Sequence, residues 1–106
     1  MDCTVSELKK RIDNGTAPVL LDVRQPEEVA IAALPGALHV PMGDVPSRLT
    51  DLDAHAEEEV VVYCHHGMRS ASVQRFLLQN GFVNVRNLVG GIDAYSCDVD
   101  PTIPRY

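Results

Sequence analysis

The run Cys64-His65-His66-Gly67-Met68-Arg69-Ser70 places a nucleophile, two imidazoles, a glycine and a cation within seven consecutive residues. It follows Val60-Val61-Val62-Tyr63, the strongest strand signal in the chain. It precedes Ala71 to Asn80, where Val73, Phe76 and Leu77 fall at helical spacing and Asn80-Gly81 supplies a stop. A loop between such a strand and such a helix curls its backbone N–H groups around Cys64 and faces the helix N-terminus, a geometry that attracts anions. The positive helix end, the cradling amides and Arg69 all favour thiolate over thiol, so Cys64 is expected to have a lowered pKa and to act as a nucleophile. The same surroundings would hold a terminal persulfide once Cys64 had taken sulfur from a donor, with Arg69 positioned for an oxyanion such as thiosulfate. Cys64 and Arg69 are therefore the candidate catalytic residues, and this chemistry needs no metal or organic cofactor. His65 and His66 have two readings: side chains that only vary the rim, or groups that bind an anionic donor or tune Cys64. Neighbouring loop imidazoles tend to diverge, and Cys3 and Cys97 add no ligand spacing, so no metal site is expected.

The elements that must position this loop alternate between helix and strand. Thr4 and Glu7 have capping-box spacing, and Val5, Leu8 and Ile12 share one face of a first helix ending near Asn14-Gly15. After Pro18, the nearly unbroken apolar run Val19 to Val23 reads as a buried parallel strand. Pro26 starts a short helix through Ile31, and Leu34-Pro35-Gly36-Ala37 breaks it before an extended stretch at Leu38 to Pro41. A weakly patterned helix is expected over Val45 to Leu52. Beyond the loop and its helix come a short strand at Val83 to Leu88 and a last helical turn that Gly90-Gly91 opens and Tyr95 closes. This order predicts an α/β fold in three layers, a central parallel sheet flanked by helices, with the ligand site at the carboxyl ends of the strands.

Length and composition agree with one compact domain over residues 1–106. No stretch approaches the roughly 20 apolar residues that span a bilayer. Residues Met1 to Arg11 include Asp2, Glu7, Lys9 and Lys10 in place of an apolar signal, so a cytoplasmic location without membrane partners is expected. A net charge of -6 argues against nucleic-acid partners. The imbalance is local: residues 1–59 hold five basic and twelve acidic side chains, whereas residues 60–106 hold four and three, so an anion can approach the second part. Three cysteines without Cys-x-x-Cys spacing suggest free thiols; Cys3 and Cys97 have two readings, inert thiols near the chain ends, which is favoured, or groups that relay sulfur or form a resolving disulfide with Cys64. Arg24, beside Asp22 and near Glu27 and Glu28, is expected in a structural ion pair that fixes the first strand-to-helix loop. Glu57-Glu58-Glu59 reads as a solvated turn.

Four motifs in order, Leu21-Asp22-Val23-Arg24, Leu34-Pro35-Gly36-Ala37, Cys64 to Arg69, and Leu88-Val89-Gly90-Gly91, resemble the pattern of the rhodanese family over about Thr4 to Tyr95. One departure is Ala32-Ala33, where many members carry Gly-His. The resemblance implies a rhodanese-like sheet, a persulfide on Cys64, and a donor and acceptor pocket shaped by His65, His66, Gly67, Met68, Arg69 and Ser70. It also implies ping-pong transfer from a small anionic sulfur donor to cyanide, a thiol, thioredoxin or a sulfur carrier protein. The tail Asp98 to Tyr106 is similar to the ending of rhodanese domains fused to enzymes that adenylate sulfur carrier proteins.

Two rivals remain. A cysteine-dependent phosphatase needs Cys-x-x-x-x-x-Arg, but Arg69 lies one position too early and Ser70 stands where that Arg would be. A binding or redox-sensing module built on the same scaffold would show no turnover, and the presence of both Cys64 and Arg69 weighs against it.

Overall fold

In the computed structural model, which describes residues 2–106, the four expected strands and one more pair into one sheet. They are β1 (Asp2–Cys3), β2 (Val19–Asp22), β3 (Leu38–His39), β4 (Glu59–Tyr63) and β5 (Asn84–Leu88). All pairings are parallel and the order is β1-β5-β4-β2-β3, so β4, the strand that leads into Cys64, lies in the middle. The helices are α1 (Val5–Asp13), α2 (Pro26–Ile31), α3 (Leu49–Leu52), α4 (Met68–Gln79) and α5 (Gly91–Asp98). The expected α/β architecture, a central parallel sheet flanked by helices, is the one observed. Among the described residues no helix is long and apolar enough to cross a membrane.

Side chains alternate across each strand and build a core on either face of the sheet. Val60, Val62 and Cys64 point into one, with Leu21, Val23, Leu52, Val73, Leu77 and Phe82. Val61 and Tyr63 point into the other, with Cys3, Leu8, Leu20, Leu88, Ile92 and Tyr95. Burial on both faces explains why Val19 to Val23 and Val60 to Tyr63 read as continuous apolar runs.

The first helix begins as its spacing predicts: Thr4 Oγ1 accepts from Glu7 N at 3.1 Å. The reciprocal half of that capping box is absent, because the Glu7 carboxylate pairs with Arg86 on β5. Four elements differ from expectation, the first being α5, which runs on to Asp98 instead of closing at Tyr95. Strand β1, two residues long, was invisible to periodicity and exists through its pairing with β5, Asp2 opposite Asn87 and Cys3 opposite Leu88. The helix expected over Val45 to Leu52 is instead a 3-10 turn at Pro46–Arg48 followed by the short α3. Helix α4 begins at Met68, three residues earlier than expected. Gly67, at φ +106°, makes the left-handed turn that lets the chain pass from loop to helix at once. Met68, Arg69 and Ser70 therefore stand in the first helical turn.

The tightest constraint on the loop comes from α5. Ile92 N donates to Cys64 O at 2.9 Å and Asp93 N to His65 O at 3.1 Å, so the first amides of α5 hold the two carbonyls that follow β4. This approach is possible because residue 91 is glycine. A Cβ there would lie 2.4 Å from His65 O and 2.5 Å from Cys64 O, and its φ is +63°. Gly91→Ala is expected to destabilise the fold by about 2–4 kcal/mol. Thermal unfolding followed by circular dichroism should show a Tm drop on the order of 10 °C, and an unchanged Tm would contradict this packing.

Candidate active site

Cys64 leaves the carboxyl end of β4 with its side chain only 1% exposed, and α4 presents its N-terminus to it. Gly67 N donates to Cys64 Sγ at 3.1 Å, and Ser70 Oγ lies 3.4 Å from the sulfur. Burial alone would push the thiol pKa up. The Ser70 hydroxyl and the backbone N–H groups of Ser70, Gly67 and Arg69 outweigh it, and the pKa falls below its ordinary value. The expected lowering is thus present, with a different division of labour: hydrogen bonds from the turn do the work expected of the Arg69 charge.

Ser70 Oγ also donates to Asn87 Oδ1, and Asn87 Nδ2 donates to Gly67 O at 3.1 Å. Asn87, on β5, thereby fixes both the hydroxyl and the turn beside the sulfur. With its single proton on Asn87, Ser70 accepts from the Cys64 thiol; after ionisation the hydroxyl can turn to the thiolate.

The Arg69 guanidinium is placed differently from expectation. Instead of lying free over the thiol it makes a bidentate pair with Glu28 of α2, Nη1 to Oε1 at 2.7 Å and Nη2 to Oε2 at 2.9 Å. Hydrogen bonds from Arg69, from Gln25 N and from the Tyr106 hydroxyl hold the Glu28 carboxyl at a pKa of about 2, against the opposing effect of partial burial. Arg24, expected in a structural ion pair, is fully buried on Asp22: Nε to Oδ1 at 2.9 Å and Nη2 to Oδ2 at 2.6 Å. It also donates to Ala32 O at 2.7 Å and Tyr106 Oη at 2.9 Å, and its guanidinium lies over the rings of Tyr63 and Tyr106. Burial opposes the Arg24 charge, but the bonds to Asp22 and Tyr106 outweigh it and raise the pKa.

His65 and His66 stack on each other with centroids 4.1 Å apart, and His65 stacks on Tyr106 at 4.1 Å. The pair does not diverge as expected, because Tyr106 and Asp93 gather it: His65 Nε2 lies 4.0 Å and His66 Nδ1 3.8 Å from the Asp93 carboxylate. Burial and the neighbouring His66 lower the His65 pKa, with Asp93 opposing them. Met68 projects outward, 83% exposed.

A cleft lined by Cys64, His65, His66, Met68 and Arg69 opens above the sulfur. A second, more apolar groove between Met42, Val45, Pro46 and α4 contains no carboxylate, imidazole or thiol. Cys3 is buried in the core on the opposite face of the sheet from Cys64, and Cys97 is exposed on α5. Glu28, Asn87, Asp93 and Tyr106 join the site without having been singled out in the sequence. Tyr106 lay within a tail noted for its resemblance, but Asn87 and Asp93 gave no local signal.

A family model described as "Rhodanese-like domain" matches residues 4–97. The chain is 42% identical to the "Rhodanese-like/PpiC domain-containing protein 12, chloroplastic" of Arabidopsis thaliana over 99% of its own length, and spans 37% of that protein. It is 36% identical to a protein named "Sulfurtransferase" from Allochromatium vinosum, covering 84% of this chain and 81% of that one. Its backbone is similar to that of the crystal structure of SSP1007 from Staphylococcus saprophyticus, with TM-score 0.82, 35% identity and 98% coverage of both chains.

Two predictions rest on this geometry. Ser70→Ala removes a partner of the sulfur and should raise the Cys64 pKa. Iodoacetamide alkylation of Cys64 at pH 7 is expected to slow by about tenfold, the equivalent of one hydrogen bond to a charged group at roughly 1.5 kcal/mol. A wild-type rate would mean that the amides hold the thiolate alone. Glu28 titrates near 4.5 when unfolded and near 2 when folded. Its stabilisation is therefore complete above pH about 4.5 and lost as the pH falls through about 2. In acid titrations of unfolding, the stability gap between wild type and Glu28→Gln should shrink over that window, and a constant gap would contradict it.

Proposed function

This chain belongs to the rhodanese-like domain family, and from that premise we propose that it is a single-domain, cytoplasmic sulfurtransferase carrying sulfur as a persulfide on Cys64. The observation that carries the proposal is the turn around the sulfur. Gly67 N donates to Cys64 Sγ at 3.1 Å, and the Arg69 and Ser70 amides at the N-terminus of α4 add to it. Those donors favour a thiolate and equally a terminal persulfide anion one atom further out. In the first half-reaction the Cys64 thiolate attacks the outer sulfur of a donor such as thiosulfate. The donor's S–S bond breaks and sulfite leaves with the electron pair. In the second, a nucleophile attacks the terminal sulfur and the S–S bond of the persulfide breaks, which returns the electron pair to Cys64 as thiolate. Cyanide gives thiocyanate, and a thiol takes the sulfur likewise as its own persulfide; with a sulfur carrier protein activated by adenylation, the persulfide sulfur instead attacks the terminal carbonyl carbon, AMP leaves, and a thiol reductant cleaves the resulting acyl disulfide to return Cys64. The resemblance of Asp98 to Tyr106 to domains fused to carrier-adenylating enzymes supports the last acceptor.

Within this reading Cys64 is the nucleophile and Arg69 acts through its backbone N–H and as the cation at the rim, where its side chain stays 32% exposed despite Glu28. His65, His66, Gly67, Met68 and Ser70 form the substrate-binding surround. Phosphatase chemistry is disfavoured, since Ser70 stands where the phosphate-clasping arginine would be.

Intact-mass spectrometry after thiosulfate treatment, removal of excess donor and a cyanide chase tests the mechanism. The expected outcome is a gain of one sulfur atom that Cys64→Ala abolishes and cyanide removes as thiocyanate. No gain with thiosulfate, with mercaptopyruvate or with a persulfidated desulfurase would refute sulfur transfer and favour a binding module.

A further inference from the structure

Sulfur transfer at Cys64 leaves one part of the molecule without a role, the segment Val99–Tyr106 that follows α5. It is fastened along its length. Ser96 Oγ donates to Ile103 O, while Val99, Ile103 and Tyr106 pack on the core beneath α5. Arg105 Nε donates to Asp93 Oδ1 at 3.1 Å, beside the two imidazoles that share that carboxylate. Tyr106 makes the most consequential contacts. Its ring stacks on His65 with centroids 4.1 Å apart and planes inclined by 12°, and its hydroxyl donates to Glu28 Oε2 at 2.8 Å while accepting from Arg24 Nη1 at 2.9 Å. One side chain thus touches the loop after Cys64, the carboxylate that fixes Arg69, and the buried arginine at the end of β2.

We propose that Val99–Tyr106 is a strap packed behind the residues that line the active-site cleft, and that Tyr106 is a positioning residue for sulfur transfer, fixing His65 and the Glu28–Arg69 pair. The proposal builds on the sulfur-transfer reading. Residue by residue, the stack restrains an imidazole whose Nε2 is buried and has no hydrogen-bond partner among the described residues. His66, stacked on the same ring, is the other ring contact that restrains it; with Tyr106 gone the imidazole is freer to close the 4.0 Å gap to Asp93. The phenol is a two-sided link: by donating to Glu28 it leaves the carboxylate no freedom to rotate away from Arg69, and by accepting from Arg24 it is itself tied to the core. Tyr106 does not line the cleft, so its influence runs through the groups it holds.

Three variants test this: Tyr106→Ala removes the ring and hydroxyl, Tyr106→Phe the hydroxyl alone, and Arg105→Ala the second anchor. Each is first checked for folding by circular dichroism and thermal unfolding. Two readouts follow, the kcat/KM of sulfur transfer and the His65 Cε1–H resonance followed by NMR against pH. His65 is faced by His66, Asp93, Glu28, Arg69, Cys64 and Tyr106. Without the Tyr106 ring its resonance should lose the upfield ring-current shift, and its midpoint should rise toward that of an ordinary imidazole because burial no longer penalises the charge. Tyr106→Ala is expected to lower kcat/KM by about tenfold, within the roughly hundredfold that a misplacement of about 1 Å can cost. Tyr106→Phe should keep the His65 shift and lose part of the rate, and Arg105→Ala should also lose part of it. Should Tyr106→Ala not fold, Tyr106→Phe decides alone through its rate. Folded variants with wild-type kcat/KM and an unmoved His65 titration would overturn the proposal and leave the strap a stabilising tail. If even the wild type transferred no sulfur, the functional reading would fail, yet the His65 titration would still decide whether Tyr106 positions it.

Discussion

Four residues, Cys64 to Gly67, connect the middle strand of the sheet to the longest helix, and that short span governs the rest of the site. A connection so brief has to place the sulfur within reach of the helix amides. It manages this because Gly67 adopts a left-handed conformation and because α5 accepts the carbonyls of Cys64 and His65 onto its own first amides. Two helix N-termini thus meet the same loop from different sides. One supplies donors to the sulfur and the other satisfies the backbone that the loop would otherwise leave unpaired. The carboxyl ends of β4 and β5 need to be adjacent for this, as the register between them ensures.

Around that loop the molecule keeps a second layer of charge that is almost wholly neutralised. Asp22 holds Arg24 inside the fold, Glu28 holds Arg69 at the rim, and Asp93 gathers Arg105 and the two imidazoles. Each acidic group sits just beyond a strand end or in the first turn of α2 or α5, where a helix dipole also favours it. Breaking the buried pair would strand a charge in the core, a loss of about 3–5 kcal/mol, so the Asp22-Val23-Arg24 corner is as much part of the scaffold as any apolar residue. The net effect is that hydrogen-bond donors rather than bare cations dominate the electrostatics at Cys64.

Local patterns carried much of this architecture in the sequence. Continuous Val-rich runs marked the strands buried on both faces, Thr4 marked the start of α1, and a cysteine between a strand and an amphipathic helix marked the place of the candidate site. Partners brought together only by folding were not legible. Glu28 and Arg69 are 41 residues apart, Ser70 and Asn87 are 17 apart, and Tyr106 and Glu28 are 78 apart. No periodicity announces such pairs, because each depends on which strand ends become neighbours. The start of α4 was missed for a related reason: the glycine that looked like loop is the helix cap, and it drew Arg69 and Ser70 into the first turn. The same physics hid β1, whose two residues become a strand only when β5 is beside them.

The sheet ends on its two shortest members, β1 and β3, each of two residues. A foreign peptide seeking to extend the sheet by strand addition would find almost no free backbone to pair with on either side. On the sulfur-transfer proposal, a macromolecular acceptor would thereby be denied the generic, sequence-blind handle that exposed edges offer. It would have to recognise the molecule through side chains, and the loops at the carboxyl ends of the strands, beside Cys64, are where that fit would be set.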